Sequence, residues 1–197
     1  MGCGKSSVGR ELSKLLCCPF MDLDAEIEER CGCTVTEIFA ERGEAEFRRL
    51  EKETLKDILE TDGMSSPSSS TPACKNQEHP SNERPQMILA LGGGAVMTPA
   101  CERMVHEETV CVYLKASVDT LVERLTGEDS HRPLLKTSDL RTRILALMSQ
   151  RAETYERVAH LTVDTDGKGI REIAEEITLH PHQSQSSAAE IRDTVSY

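Results

Sequence analysis

The 197 residues carry 23 Lys and Arg against 34 Asp and Glu, a formal charge of −11, which excludes an overall basic nucleic-acid binder and requires any anionic ligand to be drawn in by a local cluster of arginines. The length suits one domain with a sizeable core; no apolar run is long enough to span a membrane and no secretory core follows the start, so the expectation is a cytoplasmic protein, a monomer without membrane or nucleic-acid contacts. Eight cysteines without C-x-x-C pairs or histidines at zinc spacing read as free thiols of a reducing compartment.

Met1-Gly2-Cys3-Gly4-Lys5-Ser6 matches the last six positions of a G-x-x-x-x-G-K-[ST] phosphate loop. In that motif backbone N–H groups at a helix N-terminus wrap phosphates, the Lys reaches the β/γ-phosphates and the Ser hydroxyl holds Mg²⁺. Gly2, Cys3, Gly4, Lys5, Ser6 and Ser7 are therefore candidate ATP contacts. The first glycine of the pattern would stand two positions ahead of Met1, and the strand expected before it is absent. The same residues fit the N-myristoylation pattern M-G-x-x-x-[ST], with Cys3 as a second lipid site. A phosphate loop must open a helix, and Val8, Leu12, Leu15 and Leu16 lie on one helical face starting near Lys5, which favours the phosphate loop.

Further along, Pro19–Asp24 reads as a short strand running into a helix with an acidic first turn. Cys31-Gly32-Cys33 marks a helix-ending turn. Thr34 with Glu37 forms a capping box, Gly43 ends that helix, and a longer amphipathic helix runs to about Glu60. Residues 61–86 are Ser- and Pro-rich with only Met64, Ala73 and Cys74 apolar, as expected of a disordered insert. Met87–Leu91 is a continuous apolar run, predicted as a strand covered on both faces, that breaks into Gly92-Gly93-Gly94. Strands are also predicted at Val110–Leu114 and His160–Asp164, and helices at 117–126, 139–157 and about 168–179, before a polar tail or linker over 181–197. Strands alternating with helices predict a three-layer α/β domain over 1–180 with a parallel sheet, whose ligands bind at the carboxyl ends of the strands.

Taken in order, Gly-Cys-Gly-Lys-Ser (2–6), Asp22-Leu23-Asp24, the stretch from Ile38 to Glu51, Gly92-Gly93-Gly94, Arg132-Pro133-Leu134-Leu135 and Arg151-Ala152-Glu153-Thr154-Tyr155 resemble the shikimate kinase family over about residues 2–60 and 87–179. The resemblance implies a P-loop kinase fold with a mobile lid and transfer of a phosphoryl group from ATP, with Mg²⁺, to shikimate in aromatic amino-acid biosynthesis. It implies that Arg48 and Arg151 bind the substrate carboxylate, that Asp24 contacts the hydroxyls and accepts or steers the proton, and that Gly92, Gly93 and Gly94 approach the substrate through bare backbone. By the same resemblance Asp22 and Ser6 hold Mg²⁺, Lys5 and Arg132 clamp the phosphates, and residues 126–138 form the lid. Arg124 corresponds loosely to an adenine contact, and Phe39 and Phe47 either wall the acceptor pocket or pack in the core. Glu51, three residues after Arg48 on a helix, is placed to orient that guanidinium, the alternative being a solvated surface pair. The family's first strand is central in a five-stranded sheet, so its loss would unpair both neighbours. Two rivals remain: a related polyhydroxy-acid kinase such as one for gluconate, and an inactive truncated homologue.

Overall fold

The computed structural model describes residues 2–61, 87–127 and 137–180. Of the expected insert at 61–86 and lid at 126–138, residues 62–86 and 128–136, Arg132 among them, lie outside the described residues, as does the tail 181–197; Thr61, Thr126, Gly127, Thr137 and Ser138 are instead helical.

The first helix, α1 (Lys5–Leu16), opens directly after Gly4 and buries Val8 and Leu12, the inner positions of the predicted stripe. It ends at Cys17, whose left-handed φ of 52° is unusual for a residue other than glycine. Strand β1 (Phe20–Asp22) leads without a loop into α2 (Leu23–Cys31). Gly9 lets the helix lie flat on this strand, because a Cβ there would stand 2.6 Å from the Phe20 ring. Gly32, at φ 67°, ends α2 by donating its N–H to the Glu28 carbonyl, as its position in the sequence predicts.

The capping box is present: the Glu37 carboxylate accepts from the Thr34 N–H at 2.7 Å, and Thr34 Oγ1 accepts from the Glu37 N–H at 3.2 Å. Helix α3 (Val35–Thr61) begins there and is broken at Gly43, where φ 80° and ψ 172° interrupt the helical backbone and turn the second segment. The glycine thus ends one helix and starts the next with no connecting loop, as the sequence suggests.

Strand β2 (Ile88–Ala90) pairs with β1 in parallel, Met21 opposite Leu89. The triple glycine runs into a 3₁₀ turn at Ala95–Met97 and then α4 (Pro99–Glu108). Helix α4 is missing from the sequence-based elements, although Thr98 precedes it and Pro99 sits at its first position, where proline is pre-organised. After it come β3 (Val112–Lys115), α5 (Val118–Gly127), α6 (Thr137–Val158), β4 (Leu161–Asp164) and α7 (Ile170–Thr178). Strands β3 and β4 pair in parallel, Leu114 opposite Val163.

The four strands among the described residues form two separate parallel pairs, β1–β2 and β3–β4. The main core lies around the first pair, where Leu23, Ile27, Ile38 and Leu55 are fully buried with Cys101 of α4. A second cluster joins Val8 of α1 to Val163 of β4 and Ile173 of α7, and a third joins α5 to α6 through Leu121 and Ile144. Contrary to the expectation of strands covered on both sides, Leu89, Val112, Tyr113 and Leu114 are only half-buried; among the described residues every strand has a neighbour on one side alone. No helix among the described residues is long and apolar enough to cross a membrane.

Candidate active site

The amino end of α1 and the carboxyl ends of β1 and β2 meet around the triple glycine. Gly2 and Gly4 adopt positive φ, 74° and 79°, which a residue with a Cβ takes up only under strain. The α1 N-cap, Gly4, offers no side-chain oxygen, so the first-turn N–H groups are not claimed by a cap and are left for an anion. That arrangement fits a nucleotide phosphate. Lys5 is half-buried and places Nζ 3.7 Å from Cys3 Sγ.

Ser6 Oγ donates to Asp22 Oδ2 at 2.7 Å, so the two residues assigned to metal from the sequence are in direct contact. A hydroxyl and a carboxylate side by side are hard oxygen donors suited to a Mg²⁺ that keeps most of its water. The other Asp22 oxygen accepts the Asp24 N–H at 3.1 Å and caps α2, so the carboxylate is fixed from both sides. Asp24 stands in the first turn of that helix, with Oδ1 2.7 Å from where a Cβ on Gly92 would lie. Burial, and then the charge of Asp22, push the Asp24 carboxyl above its usual range, with Lys5 and Arg48 pulling the other way.

On the second segment of α3, Arg48 Nη1 donates to Glu51 Oε2 at 2.7 Å and Nη2 donates to Glu44 at 3.2 Å. Glu51 is fully buried, so the pair is no solvated surface contact. Burial raises the Glu51 carboxyl despite the opposing pull of Arg48. For Arg48 burial acts against the charge, but its bonds to Glu51 and Glu44 outweigh this and its pKa rises. Glu51 Oε1 is buried with no hydrogen-bond partner among the described residues, an acceptor left open beside Gly92 and Asp24. A Cβ on Gly94 would fall 2.4 Å from Arg48 Nη2, so the guanidinium lies directly against the glycine turn.

From the opposite side, Arg151 Nη1 of α6 donates to the Gly93 carbonyl at 3.0 Å. Tyr155, one helical turn on, donates its hydroxyl to the same carbonyl. Tyr155 has no role in the sequence reading, although its place four residues after Arg151 puts both side chains on one face. The structure therefore brings Asp24, Arg48 and Arg151 to Gly92, Gly93 and Gly94, with Lys5, Ser6 and Asp22 adjoining. Arg132 lies outside the described residues. Arg124 turns to Thr165, donating to its carbonyl at 2.9 Å. Phe47 is buried in the main core, and Phe39 packs against it, tilted by 35°, at 4.6 Å between ring centroids while remaining 37% exposed.

A family model described as shikimate kinase matches residues 1–65 and 77–180. The shikimate kinase of Thioalkalivibrio sulfidiphilus is 38% identical over 180 residues, covering 91% of this chain and 82% of that protein. The shikimate kinase of Thermus thermophilus is 36% identical over 177 residues, with 90% and 83% covered. Among solved structures, shikimate kinase from Acinetobacter baumannii in complex with shikimate superposes with a TM-score of 0.70 at 31% identity, covering 90% of this chain and 86% of that one.

Proposed function

The chain belongs to the shikimate kinase family, and from that premise we infer that it transfers the γ-phosphoryl group of ATP to shikimate, giving ADP and shikimate 3-phosphate. The observation that carries this is the convergence of two arginines and one half-buried carboxylate on a turn of bare backbone, next to an open helix N-terminus. A hydroxylated carboxylic acid needs that set: forked donors for the acid, an acceptor for the hydroxyl proton, and amides within reach of the other hydroxyls. The shikimate bound in the similar structure from Acinetobacter baumannii agrees with it.

Each side chain has a task in this scheme. Arg48 and Arg151 grip the substrate carboxylate, Arg48 held in orientation by Glu51. The substrate hydroxyl oxygen forms a bond to the γ-phosphorus as the bond to the ADP oxygen breaks, and its proton passes to Asp24. Burial and Asp22 raise the Asp24 carboxyl, which strengthens its ionised form as a base. Lys5 meets the phosphates together with the N–H groups of Gly2, Cys3, Gly4, Ser6 and Ser7. Ser6 and Asp22 would hold Mg²⁺, which when bound would supply charge neutralisation at the phosphate oxygens. Arg132 is assigned the second phosphate clamp on a closing lid over 126–138. We place the enzyme as a monomer in the cytoplasm, where ATP is supplied and thiols without pairing spacing stay reduced. The domain spans 1–180, with 61–86 as an insert.

Purified protein supplied with ATP and Mg²⁺ is expected to phosphorylate shikimate and to leave gluconate untouched. Phosphorylation of gluconate alone, or of neither, overturns the assignment. Arg151→Lys should raise KM for shikimate about tenfold with KM for ATP unchanged, because a point charge replaces a fork. An unaltered shikimate KM removes Arg151 from carboxylate recognition.

A further inference from the structure

The glycine turn is tied at one peptide group by two side chains from outside it. Ala95 donates its N–H to the Gly92 carbonyl at 3.1 Å, which makes residues 92–95 a β-turn, and Met97 donates to the Gly94 carbonyl at 3.0 Å as the 3₁₀ turn begins. Neither bond fixes the peptide between Gly93 and Gly94. In a β-turn that central peptide has two orientations, type I and type II, which differ by a flip that leaves the bond across the turn intact. Type II requires a positive φ at the third residue, a region that glycine enters without strain. Gly94 stands at φ −109° and ψ −8°, the type I form. With glycine at both central positions, the sequence of the turn does not itself choose between the two.

Helix α6 makes the choice. The Gly93 carbonyl accepts from Arg151 Nη1 at 3.0 Å and from the Tyr155 hydroxyl, so both of its lone pairs are used. In a planar trans peptide the following N–H points the opposite way, so a carbonyl tied to α6 turns the Gly94 N–H away from that helix. No described residue accepts from this N–H, which leaves a free backbone donor in the turn against which the Arg48 guanidinium lies. Of the two ties, Arg151 is the one that an acidic substrate also draws on. The Tyr155 hydroxyl has no other bond among the described residues, and its ring is held by Tyr113 at 5.3 Å between centroids.

We propose that Tyr155 is a positioning residue: its hydroxyl holds the Gly93–Gly94 peptide in the type I orientation, so that the Gly94 N–H joins Arg48 and Arg151 as a third donor to the substrate carboxylate. This rests on the reading that those two arginines bind the acid. As the substrate engages Arg151, Tyr155 keeps the peptide from turning its carbonyl oxygen, a repulsive dipole end, toward the anion.

Tyr155→Phe keeps the ring and removes only the hydroxyl. In steady-state assays its KM for shikimate should rise about fivefold, with kcat and KM for ATP changed by less than about twofold. Tyr113→Phe removes the neighbouring hydroxyl and should leave all three at wild-type values. Relaxation dispersion of the Gly94 amide reads the peptide itself: exchange on the microsecond-to-millisecond scale should be present in Tyr155→Phe and absent from wild type, with or without shikimate. An unchanged shikimate KM, an equal rise in KM for ATP, or an equal effect of Tyr113→Phe overturns the proposal, and so does identical Gly94 relaxation in the two proteins. If wild type transfers no phosphoryl group to shikimate, the substrate assignment fails separately and the Gly94 amide decides: exchange confined to Tyr155→Phe supports the tie, and its absence refutes it.

Discussion

Asp24 sits beside Asp22, and burial first and the Asp22 charge second hold its carboxyl above the ordinary range. The folded protein therefore binds this proton more tightly than the unfolded chain does. Its contribution to stability is complete below the ordinary Asp range and is lost as pH rises through the raised folded value, above which the ionised group is a cost. Asp24→Asn should lower turnover by about 10²–10⁴-fold with ATP binding retained. The same variant should unfold at higher urea concentration than wild type at pH 7, with the two midpoints converging in acid. Retained turnover would sink the proton-acceptor role, and a lower midpoint at pH 7 would contradict the electrostatic account. Glu51→Gln keeps the shape of the buried partner of Arg48 but removes its charge; a charge-assisted bond becomes an ordinary one, a loss of about 1 kcal/mol, so KM for shikimate should rise roughly fivefold in steady-state assays with KM for ATP unmoved. Most of these residues were legible in the sequence because each belongs to a short motif at fixed spacing. The burial of Glu51 was not, since i,i+3 spacing is the same for a surface pair and for one sunk beneath a glycine turn.

Gly43 shows what an element contributes beyond its residues. At φ 80° and ψ 172° it occupies a backbone region nearly closed to other residues, and apart from the local chain no atom of the described residues lies within 4 Å of where a Cβ would be placed. The cost of Gly43→Ala is thus conformational rather than steric, about 1–3 kcal/mol, readable as a lower urea midpoint. If the helix instead straightens through residue 43, Arg48 swings on its axis and KM for shikimate rises as well; a variant equal to wild type in both measurements would remove the kink from the design of the site. Sequence patterns located this break, both ends of α2 and the capping box, because glycine and Thr-x-x-Glu act locally. They missed α4, whose ten residues carry apolar Cys101, Met104 and Val105 among five charged or histidine side chains, too thin a stripe for periodicity alone. The shortening of the strands to three or four residues was also hidden, because strand ends depend on which neighbours pair.

At the scale of the whole molecule, α1 holds the two strand pairs together. One of its faces lies on Phe20 and Ile88 of the first pair, and Val8 packs with Val163 and Ile173 of the second. Ile173→Ala should cost about 2–5 kcal/mol through the cavity it leaves, measured by urea denaturation, and a loss under 1 kcal/mol would mean that α7 adds little to that cluster. The alternation of elements made the fold class legible, whereas the residue-by-residue register of each strand pair was set by tertiary assembly and no window of sequence contains it. The packing of α1 on α7 joins residues 5–16 to residues 170–178, so nearly the whole chain lies in the loop that this contact closes. Loop closure over that distance is entropically slow. During synthesis α1 must therefore wait, its Val8 face uncovered, for α7 to emerge. That interval, more than the finished structure, is when the chain is most open to aggregation and to chaperones.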